Sequence, residues 1–145
     1  MLSFRPATTD PVDAELIRVL RNSGRQWMTR DTAEISREEQ RAWWARRDPA
    51  MCPIWIVSIA ATTIGYGLLR LENDRWWCSL AVAPRERGHG FGRQIYGYLA
   101  RATEADVYAE ILADNTPSIR AALGAGFQIA YAMDKHAVLV YRKNL

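Results

Sequence analysis

The chain has 145 residues, 49% of them hydrophobic and 24% charged, which fits one folded domain spanning 1–145 and excludes a disordered chain. Its net charge is +3, but the basic residues are dispersed rather than packed in a run, which argues against nucleic acid and suits a small anionic ligand. Two cysteines, Cys52 and Cys78, are too few for a disulfide framework or a zinc site, and no apolar run approaches the ~20 residues that span a bilayer, so a reduced cytoplasmic setting with no membrane and no metal is expected.

Residues 2–6 read as a first strand. Asp10 and Pro11 open a helix as cap and first-turn residue, with Val12, Leu16, Val19 and Leu20 on one face; Asn22-Ser23-Gly24 ends it. The stretch 25–35 has no clear period. Ser36-Arg37-Glu38-Glu39 matches a capping box and starts a second helix that runs to about Arg47. Apolar runs at 53–60, 63–71 and 75–83 predict three strands, with Asn73-Asp74 as a turn. A glycine-rich segment leads into a helix reaching about Glu104, with Ile95, Leu99 and Ala102 on one face. A strand at 106–113 follows, then a short helix from Thr116-Pro117 to Gly124, and a final hairpin from 127–133 and 137–142. The order β-α-α-β-β-β-α-β-α-β-β predicts an α/β fold with a mixed sheet of about seven strands flanked by about four helices.

The most informative stretch is Val82-Ala83-Pro84-Arg85-Glu86-Arg87-Gly88-His89-Gly90-Phe91-Gly92. An apolar strand enters a loop with glycine at every second position, and a helix begins at once. A helix N-terminus presents unpaired N–H groups and about half a positive charge, and glycine lets a ligand approach the backbone closely. Such a loop holds a phosphate or pyrophosphate, and Arg85 and Arg87 can add charge-assisted bonds. A Walker A loop would need Gly-Lys-Ser/Thr, which is missing. A dinucleotide fingerprint counted from Gly88 would need a small residue where Arg93 stands. The pattern RxxGxG is met in full by residues 87–92.

On these residues the sequence resembles the GNAT superfamily of acyl-CoA N-acyltransferases, in which RxxGxG follows a Val-x-Pro at the end of the fourth strand; here that is Val82-Ala83-Pro84. A second stretch, running from Asn115 to Phe127, resembles the family pattern Asn-x-x-Ala-x-x-x-Tyr-x-x-x-Gly-Phe, with Asn115, Gly126 and Phe127 in register and Ser118 in place of the alanine. The resemblance implies a GNAT fold whose fourth and fifth strands splay to hold CoA, with acetyl-CoA as acyl donor. It assigns the amides of Arg87, Gly88, His89, Gly90, Phe91 and Gly92 to the pyrophosphate. The main chain of Leu80, Ala81 and Val82 goes to the pantetheine arm and thioester, and Asn115 and Ser118 help hold CoA. It also implies an N-acetyltransferase acting on a primary amine of a small molecule, with a homodimer common among such proteins.

The family's acid and base are not in their usual places. The tyrosine that protonates the leaving thiolate aligns with Ala122, and the fourth-strand glutamate aligns with Trp76. Ser79 and Glu72 are the candidate catalytic residues, with Asp31 and Glu34 as further acids. His89 faces cofactor or solvent, and His136 reads as a surface residue in the last turn. No nucleophile pair is evident, so direct attack in a ternary complex is expected. An amine near pKa 10.4 costs about 4–5 kcal/mol to deprotonate at pH 7 and one near pKa 8 about 1 kcal/mol, so a site without a strong carboxylate favours the second. Ala122 leaves open a non-catalytic acyl-CoA-binding module. A peptide α-amine is a further alternative acceptor.

The early block, with Arg21-Asn22, Trp27-Met28 and Ser36-x-Glu38-Glu39-Gln40, resembles GNAT members that acetylate nucleotide-linked amino sugars, with Gln40 where those carry histidine. On that reading Trp27 offers a flat face to the substrate, and Arg25 and Arg30 meet phosphate. The alternative is that Trp27, Trp43 and Trp44 pack helices on the sheet.

Overall fold

The computed structural model describes residues 1–143. Strand β1 (Leu2–Pro6) leads to helix α1 (Pro11–Ser23), a 3-10 turn (Arg25–Trp27) and helix α2 (Arg37–Arg46). Strands β2 (Ile54–Ile59), β3 (Thr62–Glu72) and β4 (Arg75–Val82) follow as an antiparallel meander. Then come α3 (Phe91–Arg101), β5 (Val107–Leu112), α4 (Thr116–Gly124), β6 (Gln128–Ala132) and β7 (His136–Tyr141). The predicted order is observed in full, although the third helix ends three residues before Glu104.

One seven-stranded sheet has the order β1-β2-β3-β4-β5-β7-β6. Among the described residues only β4 and β5 run parallel, and only Trp76↔Val107 and Trp77↔Tyr108 pair between them. Beyond that point the two strands separate, which is the expected splay.

Local chemistry explains the helix starts. The Asp10 side chain accepts the N–H of Val12 at 2.9 Å. Ser36 accepts from the Glu39 amide at 3.1 Å while the Glu39 carboxylate accepts from the Ser36 amide at 3.2 Å, so the predicted capping box forms.

The buried face of α1 differs from the expected one. Ala14, Ile17 and Leu20 are buried, whereas Val12 and Val19 are 63% and 54% exposed. Asp13 sets the rotation. Its carboxylate accepts two bonds from Arg5 at 2.9 Å and two from Thr8, at 2.8 Å from the amide and 2.9 Å from the hydroxyl. A buried carboxylate needs those partners, so residue 13 faces inward and residues 12 and 19 turn to solvent. In α3, Ile95, Leu99 and Ala100 are buried, while Ala102 caps the helix and is exposed.

Two cores flank the sheet. On one face α3 and α4 cover Val57, Ile64, Leu69, Cys78, Val107 and Ala109. On the other α1 and α2 cover Ile54, Ile56, Tyr66 and Ala81. Gly67 on β3 lets α3 lie close: a Cβ there would stand 2.9 Å from Ile95 and 3.1 Å from Leu99.

Candidate active site

The glycine loop is built as its sequence implies. Gly88 and Gly90 have φ of +83° and +79°, and a Cβ built at either meets nothing within 4 Å. The space beside them is therefore open. Gly90 caps α3 without any side-chain bond, so the first amides of that helix point out unpaired. Among the described residues, the amides of Gly88, His89 and Gly90 also donate to no backbone carbonyl. An open cradle lined with free donors fits a diphosphate.

A cavity of about 620 Å³ extends from this loop into the gap between β4 and β5. Leu80, Ala81, Val82, Arg87, Gly88, Gly90, Phe91, Gly92, Asn115 and Ser118 all line it. The strand's hydrogen-bond phase shows why. Ala83 donates to Ile64 on β3 at 2.7 Å, so in an antiparallel ladder the backbone groups of Val82 and Leu80 turn away from β3 and into the gap. The Val82 carbonyl there accepts from Arg87 Nε at 3.2 Å, tying the loop to the strand. Asn115 caps α4, its Oδ1 accepting from the Ser118 amide at 3.4 Å.

His89 turns outward. It is exposed, its Nδ1 lies 3.0 Å from the Glu86 carbonyl, and its side chain does not line the cavity. Several lining residues carry no ligand role in the sequence reading: Arg93 and Arg120, exposed cations at the rim; Met28; and Tyr96, whose hydroxyl lies 2.7 Å from Ser118 Oγ. Tyr96 and Ser118 carry the side-chain hydroxyls of this cavity among the described residues. Ala122 is fully buried behind them.

A second cavity, of about 210 Å³, opens on the α1 side of the sheet. Arg70, Trp77, Ser79 and Glu110 lie along the strands, with Arg21 and Met28 to Asp31 around them. Met28 lines both cavities, and Ser79 in the second is followed by Leu80 in the first. The two spaces therefore meet where β4 leaves β5.

The candidate acceptor residues divide. Arg30 and Ser79 line the second cavity, Trp27 lines the first, and Arg25 lines neither. Trp44 is buried, with its Nε1 donating to the Thr8 carbonyl at 3.0 Å, and Trp43 packs against the same core, so both hold α2 on the sheet. Glu72 lies outside both cavities, and its carboxylate accepts from Arg30 at 2.9 and 3.0 Å and from Arg70 at 3.0 Å. Those bonds hold its pKa below the usual carboxylate value, so Glu72 anchors the loop and is ill suited to accept a proton.

A phosphate cradle at the head of a helix, beside two parallel strands that part, defines an acyl-CoA-dependent acyltransferase fold. The chain belongs to the acetyltransferase (GNAT) family, whose model matches residues 17–127. It is an acetyl-CoA-dependent N-acetyltransferase. Among solved structures it is similar to yncA, a putative acetyltransferase from Salmonella typhimurium with its cofactor acetyl-CoA, at 17% identity and a TM-score of 0.81, covering 100% of this chain and 95% of that one. A putative phosphinothricin N-acetyltransferase matches at 18% identity and a TM-score of 0.82, covering 100% of both chains. A variant of the spermidine N-acetyltransferase from Vibrio cholerae matches at 15% identity and a TM-score of 0.76, covering 96% of this chain and 92% of that one. At these identities the likeness is one of fold. No curated protein matches the chain.

Proposed function

We infer that the protein transfers the acetyl group of acetyl-CoA to the primary amine of a small molecule, by direct attack in a ternary complex. The observation that carries this reading is the junction of the two cavities at Met28 and Ser79-Leu80. One space suits a long anionic thioester and the other, smaller space suits a small acceptor, and they meet at the parting of β4 and β5. Bound acetyl-CoA supplies the acyl carbonyl.

The chain's own residues do the rest. Amides of residues 87–92 and the rim cations Arg93 and Arg120 bind phosphate, and the free backbone groups of Leu80 hold the amide arm. Tyr96 and Ser118 donate hydrogen bonds toward the leaving sulfur. Burial pushes the Tyr96 phenol well above its ordinary pKa, which keeps its proton in place as a donor. Solved structures of similar fold include proteins named for spermidine and phosphinothricin, both small amines. The size of the second cavity favours an acceptor of that scale over a whole sugar nucleotide.

The test is release of free thiol from acetyl-CoA across a panel of polyamines, α-amino acids, aminoglycosides and amino-sugar nucleotides. Cys52 and Cys78 are buried, and burial pushes the Cys78 thiol to about 12, so the signal reports coenzyme A. Turnover of at least one small amine is expected. Tight CoA binding with no turnover on any amine would overturn the reading in favour of a non-catalytic acyl-CoA-binding module.

A further inference from the structure

The geometry points to Glu110 as the group that takes the proton from the acceptor amine, an inference that rests on the acyl transfer proposed above. Glu110 stands on β5, two residues beyond Tyr108, the last residue paired with β4. The partner of Tyr108 is Trp77, so two further steps along both strands bring Glu110 opposite Ser79. Both are then on the same face of the sheet, on either side of the gap. Both line the acceptor cavity. The fourth strand lacks the carboxylate it would usually carry, and the fifth offers one across the same opening.

The surroundings leave Glu110 free for this task. Its side chain is 19% exposed and sits on a central strand. The competing acids are engaged or displaced. Glu72 is bonded to two guanidiniums. Asp31 is exposed and its Oδ1 accepts the Ala33 amide at 2.9 Å. Glu34 does not line the cavity. The other charged groups facing this space are Arg21 from α1, Arg30 and Asp31 from the loop above and Arg70 from β3, while the Cys78 thiol of β4 points to the opposite face, into the core under α3. Arg30 and Arg70 are bonded to Glu72, and Arg21 holds the carbonyls of Asp31 and Ala33. From β7, His136 brings Nδ1 to 3.5 Å from Glu110 Oε1. It pairs with Leu112 and so is a diagonal neighbour of Glu110 on the same face.

In the step, an ammonium N–H gives its proton to the Glu110 carboxylate. The freed nitrogen lone pair forms the C–N bond to the acyl carbon, and the C–S bond breaks with its electron pair going to sulfur. The one further proton that nitrogen loses balances the one that sulfur gains. Glu110 returns its proton to solvent on the side where His136 lies, 27% exposed.

The test is the pH dependence of kcat in Glu110→Gln, alongside calorimetry with coenzyme A. The variant is expected to lose about a hundredfold in kcat at pH 7 while binding coenzyme A with wild-type affinity. The deficit should shrink as pH rises, because the amine then loses its proton unaided. Should Glu110→Gln fail to fold, Glu110→Asp decides. Withdrawing the carboxylate by one carbon is expected to cost about tenfold or more in kcat, and an undiminished rate overturns the assignment. A Glu110→Gln enzyme with wild-type kcat and pH profile also overturns it, as does loss of the pH response in Asp31→Asn alone. A wild-type protein inert toward every amine would instead bring down the acyl-transfer reading itself.

Discussion

The Tyr96 hydroxyl stands 2.7 Å from Ser118 Oγ, and this bond joins α3 to α4 in the wall of the cofactor cavity. The Tyr96 ring meets Phe127 edge-on at 5.5 Å, beside the position Ala122 occupies. The phenol in the cavity wall thus comes from α3, while α4 contributes the smaller hydroxyl of Ser118 and carries Ala122 one turn further on.

Tyr96→Phe removes that donor and keeps the ring. We expect kcat to fall about tenfold to a hundredfold with a smaller change in KM for acetyl-CoA, since the bond matters most as charge develops on sulfur. Steady-state kinetics on the best amine checks this. Unchanged kcat would assign the pair to helix packing alone.

Gly90 tests the cradle. Its φ of +79° costs an L-residue about 1–2 kcal/mol, and its missing Cβ faces open space. Gly90→Ala should therefore lower stability by about 1–2 kcal/mol and weaken coenzyme A binding about tenfold, a loss of about 1.4 kcal/mol by calorimetry. Wild-type affinity would mean that the diphosphate lies elsewhere.

Asp13 makes a pH prediction. The bonds from Arg5 dominate over desolvation, with Thr8 adding to them, and hold the carboxyl at about 2 against an ordinary 3.8. A lowered folded-state pKa stabilises the fold above the unfolded value, and that contribution is lost as pH falls through the folded one. Stability worth roughly 2 kcal/mol should thus be intact above pH 4 and disappear between about pH 4 and pH 2. Asp13→Asn should show a lower urea midpoint at pH 7, with the gap to wild type closing near pH 2. An equal gap at both pH values would contradict the linkage.

The cofactor half of the site was legible because its chemistry is local. Strand, glycine loop and helix start lie within residues 80–92, and the helix caps at Asp10, Ser36 and Asn115 depend on neighbours two or three residues away. The acceptor half was not legible. In the run Val107 to Leu112, Glu110 reads as the outward residue of an ordinary alternating strand. Only the parallel register with Trp77, and its ending two residues early, brings Glu110 opposite Ser79. The face of α1 differs from the expected one for a similar reason: Asp13 stands in the first turn, where a charge ordinarily faces solvent, but a bidentate bond from Arg5, eight residues earlier, makes it the inward anchor. The base expected on β3, Glu72, is committed to Arg30 from a loop 42 residues away, which no local pattern announces.

Gly67 lines neither cavity, yet the ångström-scale placement of the glycine loop depends on it. The loop's amides are the free end of α3, and α3 rests by Ile95 and Leu99 directly on that bare stretch of β3. A single methyl there would act as a shim under the helix, tilting its N-terminus relative to Leu80. The spacing between the glycine loop and Leu80 is thus set from the neighbouring strand, on the face α3 covers, where Gly67 pairs with Leu80 and offers no side chain.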